Sequence, residues 1–391
     1  MTTAIKIVGG LILLLVVVAA LVIVIAPRFL DRIYYRGPAS DHFDGDRFFN
    51  PDGDADTMSI APASGGRAGF FWRYFTGSDG RPAWPTQVAV ASAKPEPRVD
   101  GERMIVTWVG HATVLVQTQG LNILTDPVWS ERAGPLGSGP KRVTRPGIAF
   151  DDLPRIDLVV VSHNHYDHLD KATLKRLWQR DKPLIVTSLG NDSVIAQTGA
   201  KAVALDWGTS IAAANGVTVT VTRNHHWGSR WFTDRNRALW SSFVIGLPTG
   251  GNLFFAGDTG MGDGNWPREA AALGPIRLAL IPIGAFRFVP GQMASGSHIG
   301  PPDAVEVYRR LGAPRAVPIH WGTFRLSYEA YDTPPKLLAE AMRCTGQTGF
   351  VPIAIGKATE IATFAKPSDV PQIDRQALLK CLQTPAVEAL R

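Results

Sequence analysis

The chain has 391 residues, 45% hydrophobic and 19% charged, a balance that supports a packed core and excludes wholesale disorder. A net charge of +6 without any concentrated basic stretch speaks against nucleic acid as a partner. The only cysteines, Cys344 and Cys381, are too few for a disulfide framework or a thiolate metal cluster, and they leave the redox compartment open.

Ile7 to Ala26 is a run of twenty residues without a charged or strongly polar side chain, the length one bilayer crossing requires. A cleaved signal peptide would have a shorter apolar core, and Pro27 follows the best small-residue position, Ala26. An uncleaved single-pass anchor is therefore expected. Arg28, Arg32 and Arg36, set against Lys6 and the amino terminus, lean the rest of the chain towards the cytoplasmic face.

Residues 1–36 are read as anchor and flank, and residues 37–100, rich in Gly, Pro, Asp and Ala, as a linker that wraps the domain. Within the linker, Phe70-Phe71-Trp72-Arg73-Tyr74-Phe75 could lie at a membrane interface or staple the linker onto the domain.

Short β-branched and apolar runs begin near Arg103. Strands are expected at Met104–Val109, Thr113–Gln117 and Leu121–Thr125, with Gly110 and Gly120 at the turns. A Gly- and Pro-rich loop, Ala133 to Gly147, carries Lys141, Arg142 and Arg145, of which Lys141 and Arg142 either meet a substrate phosphate or are simply solvated. Further strands are expected at 156–161, 183–188, 217–222, 239–247, 253–256, 278–282 and 316–320. Helices are expected at 170–179, 301–311, 334–343 and from 374 to at least 384. β-rich blocks alternating with helices in each half imply two packed sheets with helices outside, an α/β (α+β) architecture.

The stretch Ser162-His163-Asn164-His165-Tyr166-Asp167-His168-Leu169-Asp170 follows the strand at 156–161. Three imidazoles and a carboxylate within six positions make sense when they converge on metal, since both donor types suit zinc. His163 and His165 can clasp one ion, while Asp167 and His168 can serve a second. Neither pair completes a site, so further donors must come from later strand ends. Candidates are His225-His226-Trp227, Gly257-Asp258-Thr259-Gly260 and Ile319-His320-Trp321. A single carboxylate can bridge two cations, which makes Asp258 the natural shared donor.

Together these segments resemble the metallo-β-lactamase-fold hydrolases, and most closely their N-acylphosphatidylethanolamine-hydrolysing phospholipase D branch. The resemblance spans roughly Arg103 to Ile355. It is carried by Gly110-His111-Ala112-Thr113, Thr125-Asp126-Pro127, the His163–Asp170 motif, His226-Trp227, Gly257-Asp258-Thr259-Gly260, Ile281-Pro282-Ile283-Gly284-Ala285 and Ile319-His320-Trp321-Gly322-Thr323-Phe324. The resemblance implies a four-layer αβ/βα sandwich, placed over residues 101–365, and the sequence pattern itself gives a helical tail at 366–391.

It also implies two zinc ions, one held by His163, His165 and His226 and the other by Asp167, His168 and His320, with Asp258 bridging. Iron or manganese could replace zinc in such a donor set. A water shared by the two ions would serve as nucleophile. His111, Asp126 and His298 are candidates for orienting ligands or moving protons, alongside Asp167 and Asp258 as catalytic carboxylates.

The function these residues imply is hydrolysis of a phosphodiester, with a membrane lipid of the N-acylphosphatidylethanolamine type as substrate. Alternatives are a lactonase or esterase with the same metals, or a membrane-tethered protein that keeps metal for structure alone. Oligomeric state leaves no mark in the sequence.

Overall fold

A computed structural model describes residues 2–30, 33–54, 80–231, 233–289, 291–366 and 374–390. The aromatic cluster Phe70-Phe71-Trp72-Arg73-Tyr74-Phe75 and Arg32 of the basic flank lie outside these residues. The first element, α1 (Thr2–Leu30), contains the segment Ala4–Ile25, whose mean hydropathy of 3.4 suits a membrane span or a signal sequence.

Two mixed sheets follow. The first has seven strands: β1 (Ile105–Gly110), β2 (Thr113–Thr118), β3 (Leu121–Thr125), β4 (Leu158–Val161), β5 (Leu184–Ser188), β6 (Val203–Leu205) and, at its edge beside β1, β13 (Ala358–Glu360). The second runs in the order β12 (Arg315–Ile319), β11 (Ile276–Pro282), β10 (Asn252–Phe255), β9 (Ser242–Gly246), β8 (Thr218–Thr222), β7 (Ser210–Ala212). In each sheet hairpins give way to parallel pairs, β3–β4–β5–β6 in one and β10–β11–β12 in the other.

Alternation along each strand builds the layers. Leu158 and Val160 of β4 join Val219, Phe243, Phe255, Leu280 and Ile319 in the core between the sheets. Val159 and Val161 face the opposite way, onto Leu174 and Leu177 of α2 (Lys171–Arg180) and Val194 and Ile195 of α3 (Asn191–Ala196). The second sheet packs its outer face, including Phe254, Ala279 and Ile281, under α4 (Trp266–Ala271), α5 (Pro301–Leu311) and α6 (Thr333–Thr345). The result is the four-layer αβ/βα sandwich. Because strands buried on both faces read as unbroken apolar runs, the strand at 156–161 was visible in the sequence.

The structure departs from expectation at small elements. β6, β7 and β13 have three residues each, and α3 and α4 six each, too short for a periodic signal. At the C-terminus, α7 (Arg375–Cys381) ends in a bridge: Cys381 pairs with Cys344 at a Cα–Cα distance of 6.0 Å. Two cysteines make no framework, but here they staple the last segment to α6. Leu378 and Leu382 add buried surface, and Arg375 donates to Asp303 at 2.7 Å.

The start of the presumed linker is also part of the packed body, because residues 33–54 lie against the domain. Phe43 and Phe48 share a buried cluster with Leu239 and Trp240. His42 stacks on Trp207 at 4.6 Å and places its ring nitrogens 2.8 Å from Asp206 and 2.6 Å from Asp41. Burial pulls the His42 pKa down, but hydrogen bonds and attraction to Asp206 and Asp41 outweigh it, leaving the net shift upward. A raised folded-state value means the contribution is complete below the ordinary histidine range and fades as pH rises through the raised value. His42→Gln is therefore expected to lower the thermal midpoint more at pH 5.5 than at pH 8.5. Parallel thermal melts at the two pH values check this.

Candidate metal centre

The expected metal donors all sit just past strand ends. β4 delivers Ser162 to His168 at its C-terminal edge, β8 delivers His225 and His226, β10 delivers Asp258, and β12 delivers His320. The turns there are tight. A Cβ on Gly260 would fall 1.7 Å from the Gly296 carbonyl oxygen, and Gly257, at φ +62, would meet the Ser162 Cβ at 2.6 Å. His111, Asp126 and His320 adopt left-handed backbone, with φ of 55, 29 and 62, conformations that non-glycine residues hold only when the surroundings enforce them.

The fold gathers the donors into two groups. His163, His165, His226 and Asp258 each place a donor atom within 4.8 Å of the others. The second group forms around Asp167, His168 and His320, also with His111. Asp258 joins the two: its Oδ2 lies 3.1 Å from His168 Nε2 and 3.0 Å from His320 Nε2, while its Oδ1 is buried with no hydrogen-bond partner.

The far sides of four of these imidazoles are tied down. His168 Nδ1 donates to Asp126 at 2.6 Å, His226 Nδ1 to the Ser297 carbonyl at 2.9 Å, and His320 Nδ1 to the Gly284 carbonyl at 3.2 Å. His163 Nδ1 donates to Ser162 Oγ at 2.9 Å, and that hydroxyl in turn donates to Asp126 at 2.6 Å. These bonds fix tautomers and aim Nε2 of His163, His168, His226 and His320 inward. Nε2 of His168 and His226 are buried without a hydrogen-bond partner. Orphaned buried nitrogens around a shared carboxylate are costly on their own and fit a pair of metal ions.

The electrostatics agree with that fit. Burial disfavours the charged form of His163 and His226, holding both well below the usual range, and brings His165 to about 3. Neutral imidazole is the form that binds metal. Burial pulls His168 and His320 the same way, but Asp258 and then Asp167 overcome it and raise His320 to about 9. Burial would raise Asp167 and Asp258, yet neighbouring imidazolium charge keeps both well below the carboxylate range. Two carboxylates that stay ionised in a buried site attract cations.

The remaining candidates fall close by. His111 Nε2 donates to Asp167 at 2.8 Å. His298, 12% exposed, places Nδ1 3.8 Å from Asp258, and its ring lies 5.1 Å from His226 and 5.6 Å from His320. Asp126 braces His168 and Ser162, and its carboxylate lies within 4.8 Å of donor atoms of both His163 and His168. His225 turns away to Asp52, 3.0 Å distant, which leaves His226 as the donor of that pair.

Lys141 and Arg142 part company. Lys141 is exposed beside Glu131 at 3.7 Å, whereas Arg142 is buried 5.6 Å over the Phe324 ring, with Nε and Nη2 unpartnered. A solvated loop does not describe Arg142. The carbonyls of Gly284 and Ser297 were invisible in the sequence because a backbone acceptor carries no residue signature.

A family model described as the β-lactamase superfamily domain matches residues 121–321. N-acyl-phosphatidylethanolamine-hydrolysing phospholipase D 1 of Caenorhabditis elegans is 36% identical over 272 residues, covering 66% of this chain and 76% of that protein. The mitochondrial enzyme of the same name from Saccharomyces cerevisiae is 32% identical over 237 residues, covering 59% of this chain and 50% of that one. Igni18, a metallo hydrolase from the archaeon Ignicoccus hospitalis, shares the fold with a TM-score of 0.51 at 19% identity, over 67% of this chain and all of that one (100%).

The Asp126–His168 bond predicts a measurable coupling. Asp126→Asn is expected to weaken metal binding by about 10–100-fold, the usual effect of losing a carboxylate behind a ligating imidazole. Competition against a chromophoric chelator measures it.

Proposed function

This chain belongs to the β-lactamase superfamily, on the branch that includes the N-acyl-phosphatidylethanolamine-hydrolysing phospholipases D, and we propose that this metal-dependent hydrolase cleaves a phosphodiester in a membrane lipid. The observation that carries the reading is Asp258 shared between two histidine groups whose free nitrogens face it. In this reading His163, His165 and His226 would hold one zinc ion and Asp167, His168 and His320 another, with Asp258 available to both. Two such ions supply a water nucleophile near neutral pH and neutralise phosphoryl oxygens.

The chain's own residues do the rest. Asp126 and the Ser297 and Gly284 carbonyls orient ligands so that their lone pairs need no reorganisation. His111 fixes Asp167 from the rear. His298 is neutral, its pKa pushed to about 3 by burial, and its Nδ1 is unengaged. It is placed to hydrogen-bond a substrate oxygen beside Asp258. The apolar helix at Ala4–Ile25, as an uncleaved anchor, confines the site to the surface where lipid phosphodiesters reside.

The bridge between Cys344 and Cys381 bears on which side of the membrane the domain occupies. The charge bias across the anchor is thin, Arg28, Arg32 and Arg36 against Lys6 and the amino terminus, whereas reducing cytosol disfavours a structural disulfide. We therefore place the domain on the oxidising side, against the lean of the flanking charges. Alkylation of native membranes before and after reduction is expected to label both cysteines only after reduction. Labelling without reductant would return the domain to the cytosol.

Full-length protein in detergent is expected to bind two metals per chain and to hydrolyse bis-p-nitrophenyl phosphate in preference to a lactone or a β-lactam. Asp258→Asn is expected to lose at least about a hundredfold, equivalent to ~2.7 kcal/mol of barrier. Lactone cleavage alone would move the chemistry to a carboxylic ester, and a chain without metal would remove the site assignment.

A further inference from the structure

One feature of the surface lies outside the chemistry above. Leu136 is fully exposed, at 101% of its reference area, on the tip of the Gly- and Pro-rich loop between Ala133 and Gly147. Its φ of 52 and ψ of 33 hold the side chain outward in left-handed backbone, a conformation that a bulky apolar residue seldom adopts. The same stretch of chain carries three exposed cations, Arg132, Lys141 and Arg145, and the acid Glu131, which pairs with Lys141.

The tip overhangs a cavity of about 540 Å³ whose walls include Leu136, Gly137, Arg132, Tyr166, Lys171 and Arg230. Tyr166 stands between His165 and Asp167 in sequence, and its hydroxyl donates to the Arg230 carbonyl at 2.8 Å. One wall of the cavity is thus formed by the loop that carries His165, Asp167 and His168.

The membrane side of the molecule follows from where the chain leaves α1. Tyr34 is buried and donates to Asp234 at 2.7 Å, and the same carboxylate accepts the backbone N–H groups of Arg230 and Trp231. Tyr34 is four positions beyond the helix end at Leu30, a reach of at most about 14 Å. The anchor's exit, Arg230 and the cavity thus lie on one side.

Resting on the reading of α1 as an anchor and of the substrate as a lipid, we propose that the 133–139 loop is the domain's membrane-contacting element. Leu136 inserts among the acyl chains, and Arg132, Lys141 and Arg145 meet anionic headgroups. The anchor holds the domain near the bilayer, and the loop sets its orientation with the cavity mouth against the lipid. An apolar tip with a cationic collar fits an anionic bilayer surface better than it fits water.

Both native cysteines are bridged, so a cysteine placed at Leu136 is the only free thiol. Full-length Leu136→Cys carrying an environment-sensitive nitrobenzoxadiazole label goes into vesicles of phosphatidylethanolamine and phosphatidylglycerol containing nitroxide-labelled acyl chains. Leu273→Cys is the control, since Leu273 is 48% exposed and precedes β11 at the opposite strand end from Asp258. Ser138→Cys supplies a second probe on the same tip. A blue shift and at least about twofold stronger quenching at 136 and 138 than at 273 are expected. Equal emission and quenching at all three sites would overturn the proposal. The readout needs no turnover, so it fails or succeeds independently of the phosphodiesterase reading.

Discussion

One buried carboxylate governs the site. Asp258 approaches His168 and His320 through one oxygen and leaves the other unbonded toward His163, His165 and His226. An ionised group so far from water is tolerated only when opposite charge is built around it. Without metal, protons on His168 and His320 serve that role, which is why burial fails to keep their pKa values low. The candidate centre is thus a cation site by electrostatics as well as by donor count.

The fold brings this carboxylate to three other strand ends, those of β4, β8 and β12. Apolar strands buried on both faces supply the stability, and their C-terminal edges can then carry groups that would be ruinous in the core. Local strain is accepted there, as the left-handed His111, Asp126 and His320 indicate. Gly257 and Gly260 let two backbones touch where any side chain would collide. The N-terminal segment reinforces the same region, since Asp52 holds His225 next to the donor His226.

Much of this could be read in the sequence, for identifiable reasons. β3 appears at the expected residues, and β4, β8, β10 and β12 lie within two residues at each end of their apolar runs. His163 through His168 announced metal because histidine is scarce and the spacing is tight. Asp258 and His320 were legible as strand-end candidates, and the resemblance added which ion each would serve, since a single strand-end acid or imidazole has no distinctive neighbourhood. The three-residue strands, the packing of residues 33–54 and the burial of Arg142 were not legible. All three depend on contacts between segments far apart in the chain, which local pattern does not encode.

Oxygen-isotope tracing of the cleaved bond tests the central claim most directly. Reconstituted protein would be given an N-acylphosphatidylethanolamine in water enriched in oxygen-18, and the products resolved by mass spectrometry. Attack at phosphorus with loss of the ethanolamide alkoxide places one heavy oxygen in phosphatidic acid and none in the N-acylethanolamine. Heavy oxygen in a released fatty acid would mean that the centre attacks a carboxylic ester or amide and that the phosphodiester reading is wrong. Heavy oxygen in the N-acylethanolamine would contradict attack at phosphorus.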